Sequence, residues 1–253
     1  MLRTHGLSLK IAGRTLCAQL DVGFDAGQNW VILGANGSGK TTLLHALAGL
    51  RTPDQGEVTL AGHNIQTLGY RQRAQKIGVL FQDFDATFPA TVFETVLSGR
   101  YPHLQRWQWE TDADQRAVEQ ALATVALSDF AQRPLTTLSG GERRRVEIAA
   151  LLAQDAPICL MDEPTNHLDL RYQAQIMQQL VQRSARAGHF NIFVLHDINL
   201  AARFGSHVIL LFDNGEVLHG PLPQLFERSL LERLYHCPLR EIRVADTCWY
   251  LPI

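Results

Sequence analysis

The stretch GANGSGKT, Gly34 to Thr41, decides how this chain is read. It follows an apolar run, Trp30-Val31-Ile32-Leu33, and leads into the helical pattern Thr42-Leu43-Leu44-His45-Ala46-Leu47. Strand, glycine-rich loop and helix, in that order, form the context in which such a loop grips nucleotide phosphates. The glycines let the backbone turn tightly and aim its N–H groups inward. The helix N-terminus adds a partial positive charge. The candidate nucleotide contacts are therefore Gly34, Ala35, Asn36, Gly37, Ser38, Gly39, Lys40, Thr41 and Thr42. Lys40 is expected to reach the β- and γ-phosphates, and the Thr41 hydroxyl to ligate Mg²⁺.

Outward from that loop, Leu7, Leu9 and Ile11 alternate with polar neighbours as in a strand. Residues 25–28 predict a turn before the strand at 30–33, and Gly49 with Pro53 beyond it stops the helix. Residues 57–60 and 77–81 read as strands, the second closed by Gln82. From 83 to 156 strand signals give way to helical ones at 91–99, 113–126 and 140–154, which predicts a helical insertion. Strands return at 158–161 and 190–195, with Tyr172, Ile176 and Leu180 at helical spacing between them. Residues 208–212 and 216–218 predict a hairpin turning at Asp213-Asn214-Gly215. Residues 221–253 read as a tail of one or two helices and weak strands. Strands alternating with helices imply an α/β fold with a mostly parallel sheet.

ICLMDEP, residues 158–164, sets two carboxylates at the end of an apolar strand. Asp162 is placed to hold Mg²⁺ and Glu163 to polarise an attacking water; the alternative is that the pair caps the next helix. LSGGE, residues 138–142, is a second glycine-rich turn that opens a helix. Ser139 and Glu142 have capping-box spacing, and the same N–H groups suit an anion. This turn follows no strand, which argues against a second complete nucleotide site. His196 and Gln82 each end a strand, at the carboxyl edge where ligands bind parallel sheets.

The 253 residues carry a net charge of −2, which excludes the basic footprint of a nucleic-acid binder. A chain this long buries about 70–75% of its unfolded surface and needs no disulfide staples. Its four cysteines show no CxxC spacing, as expected in a reducing compartment. The N-terminus lacks the apolar core of a signal peptide, and no apolar run approaches the roughly 18 residues of a membrane span. The expectation is a soluble, cytoplasmic chain whose membrane role comes through a partner.

GANGSGKT, Gln82, LSGGE, ICLMDEP, His167-Leu168-Asp169 and His196, in this order, resemble the ATP-binding-cassette ATPase family over residues 5 to 220 or so. The resemblance implies a P-loop NTPase core at 1–84 and 157–220, containing an N-terminal antiparallel β subdomain. It also implies a helical subdomain at 85–156 and a tail at 221–253, the whole forming one ATPase domain. It implies a homodimer that sandwiches ATP and Mg²⁺. Each nucleotide would lie on the phosphate loop of one chain, closed by Ser139, Gly140, Gly141 and Glu142 of the other, with Asp169 coupling the two sites. By the same resemblance Glu163 is the general base and His196 bonds the γ-phosphate. Gln82 senses that phosphate, and Thr41, Gln82 and Asp162 form the metal set. The chain departs from the family in two places. No aromatic stands at Lys10-Ile11-Ala12-Gly13-Arg14, where members stack adenine, and Glu142 replaces the commoner Gln. Glu142 is expected to face solvent or cap its helix, and Arg143-Arg144-Arg145, spread over different helix faces, to form a solvated surface.

The segment Thr91 to Val96, then SGRYPH at 98–103, looks like the branch that imports metal chelates: ferric siderophores, haem and cobalamin. That branch implies polytopic permease subunits and, through them, an extracytoplasmic substrate-binding protein. The ATPase would then sit peripherally on the inner face of the membrane. Phe81, Phe84, Phe88, Phe93, Tyr101, Trp107 and Trp109 read as a small helical core. The alternative is that Phe84 and Phe88 line a groove for a permease helix. The competing functions are another transporter branch, a soluble ATPase acting on nucleic acid or ribosomes, and a small-molecule kinase, which leaves LSGGE unexplained.

Overall fold

The computed structural model describes residues 1–82, 89–105, 107–244 and 247–253. In chain order its elements are β1 (Leu2–Ile11), β2 (Arg14–Leu20), β3 (Gly23–Phe24), β4 (Asn29–Leu33), α1 (Lys40–Leu47), β5 (Gln55–Leu60), β6 (His63–Asn64), α2 (Tyr70–Ala74) and β7 (Ile77–Leu80). Then follow α3 (Val92–Ser98), α4 (Asp112–Thr124), α5 (Gly140–Gln154), β8 (Ile158–Asp162), α6 (Leu170–Ser184), β9 (Phe190–Val194) and α7 (Ile198–Phe204). The chain closes with β10 (His207–Leu211), β11 (Val217–Pro221), α8 (Leu222–Leu225), α9 (Arg228–Tyr235), β12 (Leu239–Val244) and β13 (Thr247–Pro252). Contacts divide it into two compact units, Met1–Leu68 with Val181–Ile253, and Gly69–Leu180.

In the first unit the sequence distinguishes the antiparallel strands near the N-terminus from the buried parallel ones by pattern. β1 pairs antiparallel with β2, β3 and β5, its side chains only partly buried. β4 and β9 are buried at every position, as suits strands covered on both faces. They pair in parallel, and β10 pairs in parallel with β4 on its other side. β10 returns antiparallel as β11 through the expected Asp213–Gly215 turn. α1 buries Leu43, Leu44, Ala46 and Leu47 and stops where Gly49 takes φ 70. Beyond Pro221 the tail holds two short helices and the β12–β13 hairpin, packed around Leu231, Leu239 and Tyr250.

The second unit is wider than the helical segment at 85–156. It also contains α2, the parallel pair β7–β8 and most of α6. α3, α4 and α5 pack on one another, and each opens with a capping box: Thr91–Glu94, Thr111–Asp114 and Ser139–Glu142.

Two expectations fail here. Arg144 and Arg145 are buried, at 3% and 6% exposure, rather than solvated. α5 is covered on several faces, so successive positions all meet protein. Arg145 donates to the carbonyls of Val125 and Ala126 and lies 4.0 Å over the Tyr172 ring. Four of the aromatics expected in a core are not in one: Tyr101, Trp107 and Trp109 are 60%, 90% and 86% exposed, and Phe81 is half out, while Phe93 is part-buried on α3. The core among α3, α4 and α5 is aliphatic instead, built on residues such as Val92, Val96, Val118, Leu122 and Ile148. Phe84 and Phe88 lie outside the described residues.

Removing the Arg145 guanidinium leaves the two carbonyls it serves short of a donor. Arg145→Ala should cost about 2–3 kcal/mol in urea unfolding, while Arg143→Ala should stay within about 0.5 kcal/mol. Burial pushes the Asp114 carboxyl up, but hydrogen bonds from Thr111 and Arg100 outweigh it and leave the pKa at about 2, against 3.8 ordinarily. A folded value below the unfolded one stabilises the protein above about pH 4, and that contribution is lost as the pH falls toward about 2. Asp114→Asn should flatten stability measured across that window.

Candidate nucleotide site

In the first unit, the phosphate loop is held by close packing that only glycine permits at two positions. A Cβ on Gly34 would lie 2.7 Å from the Leu211 carbonyl and 2.5 Å from Ser38 Oγ. Gly39 takes φ 103, and a Cβ there would meet Leu16 at 2.9 Å. Gly39 is also the N-cap of α1, and no side chain caps that end. The first-turn N–H groups are thus left for an anion. Lys40 is 6% exposed, and its Nζ donates to the carbonyls of Gly34 at 2.9 Å and Ala35 at 3.0 Å. Asn36, Gly37, Ser38, Thr41 and Thr42 complete the loop and first turn. The register Ile32↔Val194 between β4 and β9 brings Gly34 and His196 off the same sheet edge at the same level. His196 is exposed there, and Asp197 caps α7 through the N–H groups of Asn199 and Leu200.

In the second unit, the register Leu80↔Met161 does the same for Gln82 and Glu163, which leave β7 and β8 side by side. Asp162 is fully buried at the end of β8. Glu163 is 7% exposed with φ 48, and its carboxylate accepts from Asn166 Nδ2. A positive φ at a non-glycine residue stores strain, a feature that concentrates at functional positions.

The LSGGE turn at 138–142, the signature turn, joins this cluster through α5, the signature helix. Ser139 Oγ accepts from the Glu142 N–H, and the Glu142 carboxylate accepts from the Ser139 N–H at 2.7 Å and from its hydroxyl at 2.8 Å. Those bonds hold Glu142 below the usual carboxylate range. Ser139 and Gly140 remain exposed. Gly141 is obligatory: a Cβ would sit 2.7 Å from the His167 carbonyl. Asp169 Oδ1 accepts from the Tyr172 N–H, so this residue caps α6.

The sequence reading missed Arg144. Its guanidinium donates to the carbonyls of Phe81 at 2.6 Å, Asp162 at 2.5 Å and Glu163 at 2.8 Å, and it pairs with Glu147 at 2.6 Å. One side chain on the signature helix thereby fixes the ends of both strands that carry Gln82, Asp162 and Glu163. The acidic residue at i+3, Glu147, was the only signal the sequence held, and it reads equally well as a surface pair.

The ABC transporter family profile matches residues 17–166. The ferric enterobactin transport ATP-binding protein FepC of Escherichia coli (strain K12) is 37% identical, over 100% of this chain and 94% of its own. The hemin import ATP-binding protein HmuV of Streptomyces coelicolor is 39% identical, over 92% and 82% respectively. Among solved structures, the dimeric ATP-binding cassette MJ0796 in a post-hydrolysis state with ADP and Pi superposes with a TM-score of 0.77 at 30% identity. That match covers 88% of this chain and 99% of that one. An inward-facing ABC transporter described as of metal-chelate type gives 0.85 at 26% identity, over 100% and 97%. The chain therefore belongs to the ABC transporter family, whose members are ATPases.

Proposed function

We propose that the chain is the ATP-hydrolysing subunit of an importer for metal chelates such as ferric siderophores, haem or cobalamin. It works as a homodimer on the cytoplasmic face of the membrane, bound to polytopic permease subunits and through them served by an extracytoplasmic binding protein. The observation that carries the import reading is similarity along nearly the whole chain to ATP-binding proteins for ferric enterobactin and hemin. No helix among the described residues is long and apolar enough to cross a membrane.

In this reading Lys40 and the first-turn N–H groups of α1 bind the β- and γ-phosphates. Thr41, Asp162 and Gln82 supply a hydroxyl, a carboxylate and an amide oxygen, a hard-oxygen set that fits Mg²⁺. The ion, when bound, neutralises phosphate charge. Glu163 takes a proton from the attacking water. His196 donates to the γ-phosphate, and Ser139, Gly140 and Gly141 of a second copy cover the phosphate from the other side. The reaction is then positioning plus charge stabilisation.

The permease is assigned to an aromatic groove of about 770 Å³ in the second unit, lined by Tyr70, Tyr101, Trp107 and Trp109. Exposed aromatics in one concave patch suit an amphipathic helix.

Glu163→Gln should lower ATP turnover on the order of 10²- to 10³-fold while ATP binding persists. It should also accumulate a dimer on gel filtration with ATP; undiminished turnover would remove Glu163 from the mechanism. Lys40→Ala should lose ATP binding. In reconstituted transporter, Trp107→Glu with Trp109→Glu should abolish chelate uptake and leave the basal ATPase of the isolated subunit intact. Uptake at the wild-type rate would place the permease elsewhere.

A further inference from the structure

Arg144 follows the signature turn on α5, outside every nucleotide motif. It lies about 7.5 Å along a rigid helix from Ser139. Its Nη2 donates to two carbonyls, that of Asp162 at 2.5 Å and that of Glu163 at 2.8 Å. Those carbonyls belong to the two peptide groups on either side of the Glu163 Cα. Because φ and ψ set the angle between such groups, one donor gripping both holds Glu163 at φ 48. A residue with a Cβ is strained in this region and returns to negative φ unless its surroundings prevent it. The rest of Glu163 is held locally: Asn166 Nδ2 donates to its carboxylate, and the Asn166 N–H to its carbonyl at 3.1 Å.

The other end of the guanidinium reaches the neighbouring strand. Nη1 donates to the Phe81 carbonyl at 2.6 Å, on the peptide that leads into Gln82, and to Glu147 at 2.6 Å. This orientation leaves the buried Nε–H without an acceptor among the described residues, at a cost in stability.

We propose that Arg144 is a positioning residue for ATP hydrolysis: it holds Glu163 in the left-handed conformation that aims its carboxylate at the attacking water, and it ties that aim to the signature turn on the same helix. In the dimer of the proposed function this turn covers the partner's nucleotide while Glu163 serves the chain's own, so the guanidinium couples the two ATP sites. The proposal rests on that reading of Glu163 and of the turn.

The test uses the full-length chain with Arg144→Met, close in length but without a donor, and Arg144→Lys, whose compact ammonium cannot span both strands. Without nucleotide, amide exchange across residues 162–166 should quicken about 10-fold, the worth of one hydrogen bond. With ATP and Mg²⁺, kcat should fall about 10- to 100-fold, while KM and the affinity for a slowly hydrolysed analogue stay within about twofold. The Hill coefficient for ATP should fall toward unity. Arg145→Ala, which weakens the same helix away from the strand ends, should keep wild-type turnover. Added to Glu163→Gln, Arg144→Met should cost little more, because the two act as a unit. Wild-type turnover, unchanged exchange or an unchanged Hill coefficient in the Arg144 variants would overturn the proposal. So would an equal loss in Arg145→Ala, or a loss that adds fully to that of Glu163→Gln. Full turnover in Glu163→Gln alone would instead overturn the assignment of the base.

Discussion

The guanidinium of Arg144 is the constraint on which the acidic half of the site depends. It is 3% exposed and meets three main-chain carbonyls, those of Phe81, Asp162 and Glu163. A buried cation of this kind is tolerable only when its donors find acceptors, and carbonyls at strand ends have lone pairs to spare. The arrangement makes the strand ends and the signature helix one mechanical piece. A shift of α5 at its N-terminus is carried to the residues flanking Gln82 and to the backbone of Glu163.

The phosphate loop is built on the opposite logic, with main chain packed too closely for side chains. Gly34 is pressed between Ser38 and the Leu211 carbonyl, and Gly39 against Leu16. Close packing fixes the loop before any ligand arrives, so its N–H groups need little reorganisation to meet an anion. Lys40 rests on the Gly34 and Ala35 carbonyls. In the proposed reading, phosphate would exchange one set of acceptors for another without exposing a buried charge.

Helix ends carry much of the remaining organisation. The three capping boxes on α3, α4 and α5 use the same hydroxyl–carboxylate exchange. On α5 alone the box coincides with a glycine pair that leaves Ser139 and Gly140 exposed. Glu142, where the family more often has Gln, is thereby accounted for: its carboxylate is occupied by Ser139. Asp169 likewise has a local task, capping α6.

The sequence by itself determined the local chemistry: the strand–loop–helix at Gly34–Thr41, the box at Ser139–Glu142, the acidic strand end at 162–163 and the hairpin at 213–215. Each of these is set by residues within a few positions of one another, where periodicity, glycine conformation and cap geometry act directly. The burial of Arg144 and Arg145, the exposure of Trp107 and Trp109 and the Gly141–His167 approach were decided only by tertiary structure. These depend on what is packed opposite a side chain across tens or hundreds of residues. A charged residue on a helix has the same local pattern whether it meets water or a ring of carbonyls.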